Sequence, residues 1–119
     1  MVAVAKTAVM ATYEELQKSL PFRSWKLPPV EKIEFKLESL HKWHGYAECN
    51  GFDNTIIGID RRLLKDPPLL KMVMAHEMVH VSTDLEGDMK GAHNARFKRK
   101  ARVVCKEHQW DFETFMFSG

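Results

Sequence analysis

The sequence predicts a single α+β domain in which a small antiparallel sheet packs on a buried helix. Three observations carry this. Residues 31–37 alternate polar and apolar without a break, and two further strand-like runs follow. Residues 69–82 form an almost wholly apolar stretch behind a helix-start signal, and residues 93–108 repeat apolar positions at helical spacing. The chain has 119 residues, 45% hydrophobic and 29% charged, so one globular domain spanning 1–119 is expected, with roughly two-thirds of the extended-chain surface buried.

Taken in order, Thr12-Tyr13-Glu14-Glu15 reads as a capping box opening a short helix that ends before Pro21. The segment Phe22 to Pro29, with Pro28-Pro29, reads as a connector. Glu31 to Leu37 places Ile33, Phe35 and Leu37 on one face of a first strand. His44 to Cys49 and Thr55 to Asp60 read as two more, joined by the turn-forming residues Asn50 to Asn54. Asp66-Pro67-Pro68 starts a helix running from Leu69 to Ser82, apolar all round and therefore buried. A polar loop from Thr83 to Gly91 follows. A last helix is expected from about Ala92 to Trp110, with His93, Phe97, Ala101, Val104 and His108 along one face.

Net charge is only +2, which by itself favours no partner. Cys49 and Cys105 lack metal-type or disulfide-framework spacing and fit free thiols, so an intracellular, cytoplasmic protein is expected. Lys6 interrupts the apolar N-terminal run and no charged segment precedes it, which argues against a signal peptide. No apolar stretch is long enough to span a bilayer.

Residues 76–80 read His-Glu-Met-Val-His, an H-E-x-x-H motif inside the buried helix. Composition alone produces this motif in roughly a few per cent of such chains, before helical context is demanded. Four residues of separation put His76 and His80 on one helix face, a geometry suited to a single zinc ion, with Glu77 placed as general base for a zinc-activated water. Core histidines satisfied by hydrogen bonds are the bland alternative. Catalytic zinc commonly takes three protein ligands, and His93 is the expected third, because its stripe partners Phe97, Ala101 and Val104 would turn it toward the motif helix. Asp84, Glu86, Asp88, Glu107 and His108 are the competing ligands. A metzincin pattern fails because Glu86 stands where its third histidine belongs, and a gluzincin pattern with Glu107 ranks second.

The order of Trp43-His44-Gly45-Tyr46, Ile56-Ile57-Gly58-Ile59-Asp60, Pro67-Pro68, Met74 to His80, and Gly91-Ala92-His93 leading to Phe97 resembles the SprT-like/Spartan metallopeptidase domain over about residues 30–105. Ala92 is a one-residue insertion relative to the family's Gly-His pair, and it leaves the His93-to-Phe97 spacing intact. The resemblance implies a zincin-like fold, one Zn2+ held by His76, His80 and His93, Glu77 as catalytic base, and a protein or peptide substrate. It is a resemblance to the minimal core, since no CxxC pair of a zinc ribbon occurs. Action on DNA-associated proteins, including DNA–protein crosslinks, is implied in the same way.

Between Lys90 and His108 seven basic residues face one acid. Arg96, Lys98, Arg99, Lys100 and Arg102 therefore form a candidate nucleic-acid surface, with single-stranded DNA or DNA–protein complexes as partner. A solvated amphipathic face is the equally weighted alternative. Trp43, His44 and Tyr46 could stack on bases or grip an extended peptide. The rival to an enzyme is a DNA- or protein-binding module with a structural or catalytically silent zinc site.

Overall fold

The computed structural model describes residues 2–87 and 93–119. Its sheet has the order β1-β3-β2, built from β1 (Ile33–Glu38), β2 (Gly45–Cys49) and β3 (Thr55–Asp60). The expected strands are present, but the sheet is mixed: β2 runs antiparallel to β3, whereas β1 runs parallel to it. Alternation of polar and apolar residues reports a half-buried strand and carries no direction. The direction follows from the connections. A tight hairpin at Asn50–Asn54 joins β2 to β3, with Asn50 donating its N–H to the Asn54 carbonyl at 2.9 Å and Gly51 at φ +127°. The longer link after β1 carries the chain to the opposite edge, so β3 becomes central and its Ile57 and Ile59 are fully buried.

That link is pinned at Asp60, whose buried carboxylate accepts from the Arg62 side chain at 2.9 Å and from the Leu40 N–H at 3.0 Å. The Arg62 hydrogen bond, foremost, holds the Asp60 carboxyl well below the usual carboxylate range. The His44 carbonyl in turn accepts the Asp60 N–H at 2.8 Å, which fixes the residue before β2 to the end of β3.

Helix α1 (Val2–Gln17) begins well before the expected capping box. Thr12 lies mid-helix and its hydroxyl donates to the Ala8 carbonyl at 3.0 Å, an interior arrangement that a capping pattern cannot be told from by sequence. Val9, Tyr13 and Leu16 form the buried stripe, and Tyr13 meets Phe35 of β1 edge to face at 5.6 Å. The Tyr13 hydroxyl and the Gln17 amide bind carbonyls of Leu27 and Pro28, tying down the connector, which holds a short 3-10 turn at Phe22–Ser24.

Helix α2 (Pro67–Leu85) is capped as expected by Asp66, which accepts from the Leu69 N–H at 3.3 Å. Every residue from Val73 to Val79 is buried, in keeping with a helix apolar on all sides. It continues past Ser82, so Thr83 and Asp84 belong to its last turn and not to a loop. Helix α3 (Ala95–His108) starts later than expected because Asn94 caps it, accepting from the Phe97 N–H at 2.9 Å. His93 therefore precedes the helix. Phe97, Ala101 and Val104 are buried as the stripe predicted. A fourth helix, α4 (Phe112–Met116), was not expected; Asp111 caps it and Phe115 is its buried anchor. No helix among the described residues is long and apolar enough to cross a membrane.

Candidate metal centre

Helix periodicity sets His76 and His80 one turn apart on α2, with ring centroids 5.0 Å apart. The Asn94 cap ends the preceding loop beside them, bringing His93 Nε2 to 3.3 Å from His76 Nε2 and the His93 ring to a stacked contact with His80 at 5.1 Å. Phe97, one turn into α3, touches all three imidazoles, with centroids 5.2, 4.3 and 4.8 Å from those of His76, His80 and His93. One ligand nitrogen from each ring lies within 4.8 Å of the others.

The residues fit a metal ion. Zinc–imidazole bonds of about 2.0–2.1 Å at a tetrahedral angle separate two ligand nitrogens by about 3.3 Å, which is the His76–His93 spacing. A carbonyl oxygen can only accept, so His76 Nδ1–H donates to the Phe115 carbonyl at 2.9 Å, and the Nε2 lone pair faces the cluster. Burial lowers the His76 pKa to about 4 and that of His80 to about 3, leaving both neutral near pH 7, the form that ligates. Three imidazoles suit zinc and several other transition metals alike.

Beside the cluster stands Glu77, 2% exposed, with an Oε2 that has no hydrogen-bond partner among the described residues. Burial pushes its carboxyl up to about 8. An orphaned buried carboxylate oxygen is costly in a core and is retained where chemistry needs it. Gly45 packs close beside it: a Cβ there would stand 2.9 Å from the Gly58 carbonyl and 3.1 Å from Val73 Cγ1, and in ordinary contact, 3.4 Å, with Glu77 Oε2. A cleft of about 600 Å³ opens over these residues, with Trp43, Tyr46 and Asp84 in its walls. Trp43 is well exposed, and Tyr46 is held by its hydroxyl on Glu38 while its ring covers Gly58.

The competing ligands lie elsewhere. His108 stacks on Trp110 at 4.8 Å and faces Ser19 of the α1 end; Glu107 is exposed; Glu86 pairs with Lys100 at 2.5 Å. Asp84 is half-buried in the cleft wall rather than solvated. Asp88, Lys90, Gly91 and Ala92 lie outside the described residues. Among the basic residues, Lys98, Arg99 and Arg102 are exposed, Arg102 over the Phe112 ring at 4.5 Å. Lys100 turns inward, its side chain 14% exposed against Ser82, Glu86 and the Trp25 ring, and Arg96 lies 3.8 Å from Glu86. These contacts draw two of the five expected phosphate-facing residues into the protein's own ion pairs.

Sequence reasoning missed the Phe115 carbonyl and residues 118–119 as parts of the site. Ser118 is buried, and Gly119 lines the cleft. A backbone acceptor has no residue-type signature, so no sequence signal pointed to Phe115. Searches of protein-family profiles, curated proteins and solved structures return no match to this chain.

Proposed function

We propose that this chain is a zinc-dependent endopeptidase with a zincin-like, SprT-like core. The observation that carries the reading is the convergence of three neutral imidazoles beside a buried, unpartnered glutamate at the floor of an open cleft. Zinc bound by His76, His80 and His93 would supply a Lewis acid and an activated water.

The chain's own groups then divide the remaining work. Phe115 orients His76 through Nδ1. Glu77 Oε2, free of other partners, takes the proton from the attacking water and passes it to the leaving amine nitrogen. With zinc held by the three histidines, Glu77 would be favoured as the carboxylate, its base form. Among the described residues β2 is an edge strand paired only with β3, so an extended peptide can add along it by main-chain hydrogen bonds. Exposed Lys98, Arg99 and Arg102 support substrates that are DNA-associated proteins. The buried free thiols Cys49 and Cys105 favour an intracellular setting.

Glu77→Gln is the test: it should retain zinc and lose hydrolysis of a loosely folded protein such as casein by a factor of at least a hundred, following general-base magnitudes. Full activity in the variant refutes the mechanism. A wild type that holds zinc yet cleaves nothing, with or without single-stranded DNA, leaves the binding-module reading.

A further inference from the structure

The residues after α4 do not leave the molecule but enter the cleft. The Phe115 carbonyl that orients His76 also accepts the Ser118 hydroxyl at 2.7 Å, so residue 118 is tied to the metal cluster's own support. His44 Nδ1 lies 2.7 Å from the Ser118 carbonyl; the carbonyl can only accept, so this nitrogen carries the proton and donates. His44 is itself fixed by its carbonyl on the Asp60 N–H and by Gly45, the residue packed against Glu77. One residue further on, the backbone of Gly119 passes over the reactive groups. A Cβ at 119 would stand 2.2 Å from His76 Cδ2 and 2.5 Å from Glu77 Oε2, so only glycine fits.

Main chain thus lies against Glu77 with its preceding carbonyl held by an N–H donor, two features that seat a peptide in a cleft. We propose that residues 118–119 occupy a peptide-binding subsite in cis, and that a glycine-containing peptide takes the same place in trans, its backbone carbonyl on His44 Nδ1–H and its glycine over Glu77. The identification of that peptide as substrate rests on the peptidase reading above; the subsite itself does not. His44 is then a substrate-binding residue, and the subsite prefers X-Gly because any side chain at the second position meets His76 and Glu77. Seated in that subsite at one wall of the cleft, residues 118–119 compete with the chain's own substrate.

The test uses the full chain carrying Gly119→Leu, whose side chain cannot stay against His76, and in parallel a chain lacking residues 117–119. Fluorescently labelled Met-Phe-Ser-Gly-amide and Met-Phe-Ser-Leu-amide are titrated by anisotropy against each, metal-free and zinc-loaded. Expected is binding of the glycine peptide at least tenfold tighter to either variant than to the wild type, and at least tenfold tighter than the leucine peptide. Adding His44→Ala should weaken it at least tenfold, with His44→Gln, which keeps an N–H, recovering part of the loss. Absence of glycine-peptide binding to both variants, or indifference to His44→Ala, overturns the subsite. Zinc content of the same samples separates the two readings: zinc bound without peptide binding removes the subsite alone, and peptide binding without zinc keeps the subsite and removes the peptidase.

Discussion

At the scale of single residues, the site is a set of groups whose neutral forms burial favours. Glu77 stays protonated in the metal-free fold up to about pH 8, against an ordinary value of 4.5. Its contribution to stability is therefore complete below pH 4.5 and is lost as pH rises to about 8. His76 and His80 work in the other direction, being neutral when folded while the unfolded chain takes up protons below 6.5. Their contribution is lost as pH falls from 6.5 toward about 4 and about 3. It follows that Glu77→Gln, stripped of metal by chelation, should be more stable to unfolding than the stripped wild type at pH 9, by on the order of a few kcal/mol, and equal to it at pH 4. Equal melting at both pH values would mean that Glu77 is not desolvated. His76, Glu77 and His80 were legible in the sequence because a fixed helical spacing converts order along the chain into position on a face. The Phe115 carbonyl was not, because it acts through His76, more than thirty residues away, which only the fold brings to it; His44 was named as a residue to grip a peptide, but its Ser118 partner was not legible.

At the scale of elements, α2 and α3 carry the centre between them, and Phe97 is their shared anchor, fully buried and in contact with all three imidazoles. Phe97→Ala should cost about 3–5 kcal/mol, a large share of a stability of about 5–15 kcal/mol. Its zinc affinity should fall as well, since His93 loses the surface it leans on; a variant of unchanged melting temperature would contradict this packing. The exposed side of α3 makes a separate prediction. Lys98→Glu with Arg99→Glu should weaken single-stranded DNA binding and flatten its salt dependence, whereas Lys100→Ala, a residue already engaged with Ser82 and Glu86, should change the slope little. Equal effects from both changes, or no DNA binding by the wild type, would contradict a DNA surface on α3. The stripe of α3 and the cap of α2 were readable in advance because caps and periodicity are local. Strand direction was not, since β1 pairs with a strand more than twenty residues away and its alternation suits either orientation. The start of α1 was missed for a related reason: threonine followed by glutamate three residues on serves a helix interior as well as a capping box.

At the scale of the whole molecule, the mixed sheet brings Gly45 beside Glu77, α2 supplies two imidazoles, the residue before the α3 cap supplies a third, and α4 turns the following residues back to the cleft. The expected α+β class is present, while α4 and the returning segment had no strong sequence pattern, being one short helix and three small or aromatic residues anchored by backbone hydrogen bonds. Everything proposed about chemistry depends on the three histidines acting as one metal site. The most direct test is zinc stoichiometry by elemental analysis of the purified protein and of its His93→Ala variant. One zinc per chain in the wild type and loss of most of it in the variant is the predicted result. A His93→Ala protein that keeps its zinc would contradict the account, because the ion would then be held by residues other than the cluster described.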